Sequence, residues 1–243
     1  MKKLLTVLSV VLALTVIAHA DVYVKSKTHS DAFSIMGQSQ PARDGIQEQW
    51  IGEEKFASLS EDMSSIVDLK KNLMYIISHK EKTYVETTLP LDLTKLLPPE
   101  MAQMAGAMMK MTVQVAPNNQ TKKVGPWNCA GYDVAISMMM MPMKMKVWAS
   151  ADVPLDMKTY MDKIYGNVLK AQMMLDDNAV KEMMKVKGFW IASETNIEMM
   201  GAKMASSTEV LEITKKTPDA SVYKVPADYK KTDKLSASAF QRK

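Results

Sequence analysis

Ile66-Val67-Asp68-Leu69-Lys70-Lys71-Asn72-Leu73-Met74-Tyr75-Ile76-Ile77 decides the fold, because two apolar runs flank a short charged centre. Lysines and an asparagine between β-branched and aromatic residues mark a hairpin tip, and the neighbours it joins are expected as strands 64–68 and 73–78. The pattern extends in both directions. Strands are expected at 32–37, 47–51, 55–60 and 83–89, and Val22, Val24, Ser26 and Thr28 alternate with Tyr23, Lys25, Lys27 and His29 to give a first one. Arg43-Asp44-Gly45, Gly52-Glu53-Glu54 and His79-Lys80-Glu81-Lys82 read as the remaining tight connections. Connections this short force antiparallel pairing, so the first half is expected as a meander of about seven strands.

The middle of the chain changes period. Leu89-Pro90 and Pro98-Pro99 bracket a short helical piece carrying Leu93, Leu96 and Leu97. After Pro99, Met101, Met104, Ala105, Met108 and Met111 recur at three- and four-residue steps, the spacing of one helix face. Strands are expected again at 111–116, 122–128, 132–138 and 143–149. A helix starts at Asp156, a good N-cap, with Met157, Tyr160, Met161, Ile164, Val168, Ala171 and Leu175 on its apolar face. A second, shorter helix carries Val180, Met183 and Met184 up to Gly188, and strands follow at 189–197, 203–213 and 221–224.

Methionine is the compositional oddity: 24 of 243 residues, with six of them at Met138, Met139, Met140, Met141, Met143 and Met145. A thioether either adapts to irregular apolar partners or donates to a soft metal such as copper(I). In a strand, Met143, Met145 and Val147 point one way and Lys144, Lys146 and Trp148 the other. Pro142 places that strand at an edge or a bulge.

The N-terminus addresses the chain. Lys2 and Lys3, the apolar stretch 4–17 and the small residues of Ala18-His19-Ala20 form a signal peptide expected to be cleaved after Ala20. The expected destination is the bacterial periplasm. Residues 21–234 form one domain, and the tail from Leu235 to Lys243 is expected to be unordered. Position 21 is Asp, so no lipidated cysteine follows the cleavage point, and no later stretch is long and apolar enough for a transmembrane helix. The mature chain keeps 29 Lys+Arg against 27 Asp+Glu, spread without a dense basic patch, which speaks against nucleic acid. The single cysteine, Cys129, leaves the fold to its hydrophobic core.

Several stretches resemble a known family. Residues 49–56 (Gln49-Trp50-Ile51-Gly52-Glu53-Glu54-Lys55-Phe56), Ile66 to Ile77 and Lys82-Thr83-Tyr84 look like the meander of the exported superfamily of the outer-membrane lipoprotein carrier and its receptor. Gly131-Tyr132-Asp133-Val134, residues 147–152, residues 207–213 and Val225-Pro226-Ala227-Asp228-Tyr229-Lys230 resemble its uncharacterised branch more than the carrier. The resemblance implies an α+β fold: a curved antiparallel half-barrel of about 10–12 strands with helices over the concave face. It also implies a hydrophobic cavity for acyl chains.

Catalysis finds no motif. His29 and His79 sit on different strand ends, Cys129 has no neighbour in sequence to lower its pKa, and the adjacent carboxylates Glu53-Glu54 and Asp176-Asp177 diverge in a strand or face solvent in a loop. The expected function is non-enzymatic binding of a hydrophobic small molecule or lipid, without a cofactor. Met101, Met104, Met108, Met141, Met143, Met145, Met157 and Met161 are the candidate cavity lining. Two other readings use the same chemistry. Met138, Met139, Met140 and Met141 are the best copper(I) candidate, and a structural or partner-binding envelope protein with a methionine-filled core, whose signature is no more than aromatic Trp50, Trp148 and Trp190, is the third.

Overall fold

In the computed structural model the chain is described over residues 20–35, 38–97, 111–138, 141–173, 175–199 and 202–236. Strand β1 (Asp21–Ser30) begins one residue after the expected cleavage point and lies in the middle of a 12-stranded sheet. On one side of it β4 (Arg43–Ile51), β5 (Lys55–Ser60), β6 (Met63–Asp68), β7 (Leu73–Ser78) and β8 (Thr83–Thr88) run outward as an antiparallel meander. On the other side lie β13 (Ala202–Lys216), β12 (Phe189–Met199), β11 (Met141–Ser150), β10 (Trp127–Met138) and β9 (Met111–Val124), a second meander entered from its outer edge. β2 (Phe33–Ile35) and β3 (Gln38–Gln40) form a separate hairpin between β1 and β4. The sheet is not closed into a barrel, and β9 and the two-residue β14 (Lys230–Lys231) are its ends.

Period-two alternation sorts the first meander onto two buried faces. Val22 and Val24 of β1, Ile51, Phe56, Val67, Met74, Ile76 and Val85 belong to the main core, where Tyr160, Ile164, Val168, Val180 and Met183 of the helical segments join them. Their sequence neighbours Tyr23, Trp50, Ala57, Ile66 and Ile77 build a second cluster on the opposite face. The C-terminal segment covers it with Val222, Tyr223, Val225 and Tyr229. That strap is tied down at several points: Tyr223 donates to the Asp21 carboxylate at 2.5 Å, Lys82 meets Asp228 at 3.0 Å, and Thr232 N donates to Tyr84 O at 2.8 Å.

The hairpin tips 69–72 and 79–82 stand where the sequence puts them. Asn72 and Lys82 take the left-handed backbone conformation that ends each four-residue connection, and Asp68 accepts from Lys71 N at 2.9 Å inside the first. Several boundaries differ from expectation. Arg43-Asp44-Gly45 is not a turn but the start of β4; Gly45 lies opposite Thr28, whose Oγ1 would be 2.9 Å from a Cβ there, so glycine permits the close approach. Residues 111–124 form one strand rather than two, because a bulge at Ala130/Tyr132 absorbs Asn118 and Asn119 into the ladder. The tight turn comes later, at Gly125-Pro126, with Gly125 at φ +53°. In the expected strand 32–37 the described part is the short β2, Phe33–Ile35, which pairs antiparallel with β3, Gln38–Gln40. Residues 221–224 form a turn of the strap rather than a strand, and the last strand is instead β14, parallel to β8. The strap crosses the sheet before it arrives, so its direction is not set by a hairpin.

Pro142 does not mark an edge strand, since β11 lies between β10 and β12. It faces Ser137 of β10, while the ladder to β12 starts one residue later at the Met143 to Ile197 pair, so no β12 bond asks for its missing N–H. The order at the C-terminus also extends further than expected. Leu235 is buried and donates its N–H to Leu96 O at 2.8 Å, and Ser236 donates to the Glu81 carboxylate. Helix is a minor component: Leu93–Leu96, a run from Met157 to Met173, and Asp177–Met183 among the described residues.

Candidate functional site

The helical run from Met157 to Met173 packs on the main-core face and shapes an interior cavity beneath it. Asp156 caps the run, accepting from Thr159 N at 3.1 Å and from Thr159 Oγ1 at 2.8 Å. Its first α-turn, Met157–Thr159, passes into a π-helical segment, Tyr160–Tyr165, before regular helix resumes at Gly166–Met173. Wider π-turns change which residues share a face. An ideal helix places Tyr160, Ile164 and Val168 inward; the π-segment brings Tyr165 and Leu169 inward as well, and all five are buried.

Below this run lies a cavity of about 250 Å³. Tyr160, Tyr165, Val168 and Leu169 form its helical wall, and Phe189, Trp190 and Ile191 its side. Its floor is the sheet: Phe56 of β5, Val24 and Ser26 of β1, Gln47 and Gln49 of β4, and Thr208 and Val210 of β13. Aromatic rings give it rigid walls, with Tyr160 5.4 Å from Tyr165 and 5.6 Å from Phe189 between centroids. Gly188 lets the chain enter β12 tightly against Ser150: its φ is +114°, and a Cβ would sit 2.6 Å from the Ser150 carbonyl.

The sheet brings polar side chains to this cavity: Ser26, Gln47, Gln49, Ser193 and Thr208. The Gln47 side-chain amide donates to Ser58 Oγ at 2.8 Å. Two buried polar atoms at the wall, the Tyr165 hydroxyl and the Trp190 indole nitrogen, have no hydrogen-bond partner beyond each other among the described residues. Burial raises the Tyr165 pKa far above that of a free tyrosine, and a hydrogen bond from the Trp190 indole N–H to the phenol oxygen opposes the shift. Tyr160 is raised even further by burial. Both phenols therefore stay protonated, as donors rather than bases. Tyr160 also borders an open cleft of about 710 Å³ near Asp21, Leu155 and Tyr223.

A larger groove, about 1010 Å³, opens on the opposite face across β5, β4, β1, β13 and β12. Its charges are already satisfied by one another or by their neighbours. Lys27 meets Glu209 at 3.2 Å, His29 meets Asp44 at 2.7 Å, Arg43 meets Glu61 at 3.1 Å, and Lys122 meets Glu194 at 3.8 Å. Glu48 accepts from the Tyr23 hydroxyl at 2.8 Å. An open, internally neutralised surface offers little to a ligand, and the smaller, more recessed aromatic-walled cavity is the better candidate.

The methionines fall elsewhere. Met143 and Met145 on β11 and Met157 and Met161 on the helical run are half-buried and pack against the main core; none of the four borders the aromatic cavity. Met145 instead lines an open concavity with Lys144, Lys146, Asp133 and Glu182. Met138 and Met141 pair across β10 and β11 at the end of that hairpin. Met101, Met104, Met108, Met139 and Met140 lie outside the described residues. The expected alternation on β11 is visible, with Lys144 exposed and Met143 and Met145 turned to the core, although Trp148 on the lysine side is buried under the Lys122 ammonium, 5.4 Å from the ring centroid. Tyr165, Leu169, Phe189 and Trp190 were the residues missed. Only an aromatic clustering around Gly188 hinted at them, because the π-turn that rotates Tyr165 inward has no sequence signature.

Cys129 is buried, and burial raises its thiol pKa, which fits an inert core residue. His29 and His79 both lie away from the cavity. His79 sits between Ser64 Oγ at 2.7 Å and the Tyr229 hydroxyl at 2.9 Å, and Ser64 is itself buried. Among the described residues no helix is long and apolar enough to cross a membrane, and no group of three His, Cys, Asp or Glu side chains could hold a metal.

Fold and site together define a class: a large open antiparallel sheet with a helical run over a recessed, aromatic-walled cavity. The chain belongs to the family described as a domain of unknown function (DUF4412), which matches residues 47–229. That span runs from β4 to the strap and contains every wall of the cavity except the β1 floor. No curated protein matches the chain.

Proposed function

We propose that the protein is a non-enzymatic carrier of a hydrophobic small molecule or lipid, working in the bacterial periplasm after cleavage of residues 1–20. The observation that carries this reading is the aromatic-walled cavity of about 250 Å³ between the helical run and the sheet. It offers Phe56, Val168, Leu169 and Phe189 as apolar surface and no histidine, cysteine or carboxylate as a catalytic group. Relationship to the lipoprotein carrier superfamily belongs to the same proposal: the sheet would be its curved half-barrel, and the run 157–173 part of its helical cover. An envelope protein would be the partner that delivers or receives the ligand. The half-buried methionines would then act around the cavity, as deformable packing that lets the helical run shift when the ligand enters.

Substitution of Val168 by Trp fills the cavity and tests the reading directly. N-phenyl-1-naphthylamine should brighten on addition to the mature wild-type protein, and Val168→Trp should weaken that binding at least about tenfold while leaving the melting temperature equal or higher. Unchanged dye binding in a folded Val168→Trp variant would place the ligand elsewhere, and no dye binding by wild type would leave the cavity a part of the core.

A further inference from the structure

We propose that the cavity takes an uncharged planar ring with a hydroxyl or carbonyl oxygen at one edge, the ring lying against the aromatic wall and its oxygen meeting the Ser26 hydroxyl and the Gln49 amide on the sheet. The assignment rests on the proposed carrier function and names the chemical class of its small-molecule ligand.

The inner face of the central strands changes character along its length, and the cavity straddles the change. Val22, Val24 and Ile51 belong to the main core, but the next inward positions on β1 and β4 are Gln49, Ser26 and Gln47. Ser26 lies opposite Gln47 of β4 and Val210 of β13, and Ser193 of β12 lies opposite Thr208 of β13. Polar side chains from four neighbouring strands thus reach one cavity. Ser26 is only 5% exposed, alternation turns it to the same face as Val24, and its hydroxyl makes no hydrogen bond among the described residues. Folded proteins rarely bury a hydroxyl in this way unless a bound molecule supplies the partner. The Gln49 amide likewise has no hydrogen bond among the described residues, whereas Gln47 donates to Ser58 Oγ at 2.8 Å.

A serine hydroxyl and a glutamine amide each donate and accept, so a phenolic hydroxyl and a ring carbonyl are matched equally well. No lysine, arginine, histidine or carboxylate borders the cavity to neutralise a charge, so the ligand is uncharged. Val24, Val168 and Leu169 offer nothing to a ring hydroxylated all round, which argues against a sugar. The remaining wall is built of rings, with Tyr160 between Tyr165 and Phe189 at centroid distances of 5.4 and 5.6 Å. An aromatic ligand gains edge and offset contacts there that a flexible chain does not. A volume of about 250 Å³ lies below the usual range for drug-sized ligands, which suits one or two fused rings.

The pair 2-naphthol and 2-methylnaphthalene tests the oxygen, because both have the same rings and the same number of non-hydrogen atoms. The flexible alcohol 1-decanol tests the ring. Binding to the mature protein is read by displacement of N-phenyl-1-naphthylamine, corrected for the dye's own affinity in each variant, and thermal melts are recorded without ligand. Following each compound from wild type to variant cancels its transfer from water. Ser26→Ala should weaken 2-naphthol about three- to tenfold, as one neutral hydrogen bond would, and leave 2-methylnaphthalene unchanged. The melting temperature should stay level or rise, since the hydroxyl removed was unpaired. Gln49→Leu should shift the two compounds in the same sense, and Phe189→Leu should weaken 2-naphthol about threefold or more while affecting 1-decanol less. A serine that serves the fold alone would instead lower the melting temperature and leave the ratio of the two naphthalenes unchanged. That result, or a 2-naphthol affinity that survives both Ser26→Ala and Gln49→Leu, would overturn the oxygen contact. Equal loss of 2-naphthol and 1-decanol in Phe189→Leu would overturn the choice of a ring. Dye bound by wild type and displaced by neither naphthalene would overturn the whole assignment and leave the carrier reading intact, whereas absence of dye binding would overturn both.

Discussion

His79 and His29 show how position turns the same side chain in opposite directions. Burial between Ser64 and Tyr229 disfavours the imidazolium of His79 and lowers its pKa below the ordinary histidine value, with the nearby Asp62 opposing the shift. An unfolded chain therefore takes up this proton first on acidification. The stabilisation is fully present above about pH 6.5, the unfolded value, and is lost as pH falls through the lower folded value. Urea melts at pH 7.5, 6.5 and 5.5 should show a steeper acid loss in wild type than in His79→Asn. His29 is exposed, with Asp44 and Asp31 raising its pKa, so its contribution runs the other way: present below about pH 6.5 and lost as pH rises through the folded value. His29→Asn should change the slope with the opposite sign. Gly188 gives a sharper residue-scale test. An alanine there meets the Ser150 backbone and must hold a φ near +114°, so Gly188→Ala should lose about 3 kcal/mol in a denaturant melt.

At the scale of elements, the hairpins were legible and the strap was not. Asn72 and Lys82 end four-residue tips between alternating runs, and local turn chemistry alone placed them. Tyr23, Trp50, Ile66 and Ile77 alternate as a solvent-facing set would, yet they are buried, because a segment some 200 positions from Tyr23 lies over them. Nothing local in Val222, Tyr223, Val225 and Tyr229 announces that partnership. Tyr223 and Tyr229 should accordingly behave as core residues: Tyr223→Ala should cost about 2–4 kcal/mol, combining lost packing with the hydrogen bond to Asp21. Removal of residues 217–243 should leave the second cluster bare and produce strong anilinonaphthalene sulfonate binding without loss of the main sheet in circular dichroism. A strap that merely decorates the surface would give neither change. The helical run offers a similar lesson. Its N-cap at Asp156 and its apolar face were readable at one-turn spacing, whereas the π-segment that adds Tyr165 and Leu169 has no signature in composition.

Across the whole molecule, β1 links two meanders that grow away from it in opposite directions, and the chain returns at both ends to cover what it left open. That plan explains why β5, β6 and β7 carry buried residues on both faces: helices take one face and the strap the other. The methionine content suggested a cavity lining, yet the cavity is bordered by aromatic rings, and Met143, Met145, Met157 and Met161 pack against the main core outside its lining. Aromatics hold a cavity open and methionines let its surroundings give, which is the division a carrier needs. The central claim is that this interior holds an apolar molecule in the working protein. Organic extraction of the mature protein, purified from its native envelope without detergent, followed by mass spectrometry is the most direct measurement. The account predicts an apolar compound recovered in near-stoichiometric amount from wild type and depleted from Val168→Trp. Wild-type protein that is fully folded and yields no apolar compound above the level of a control envelope protein would contradict it.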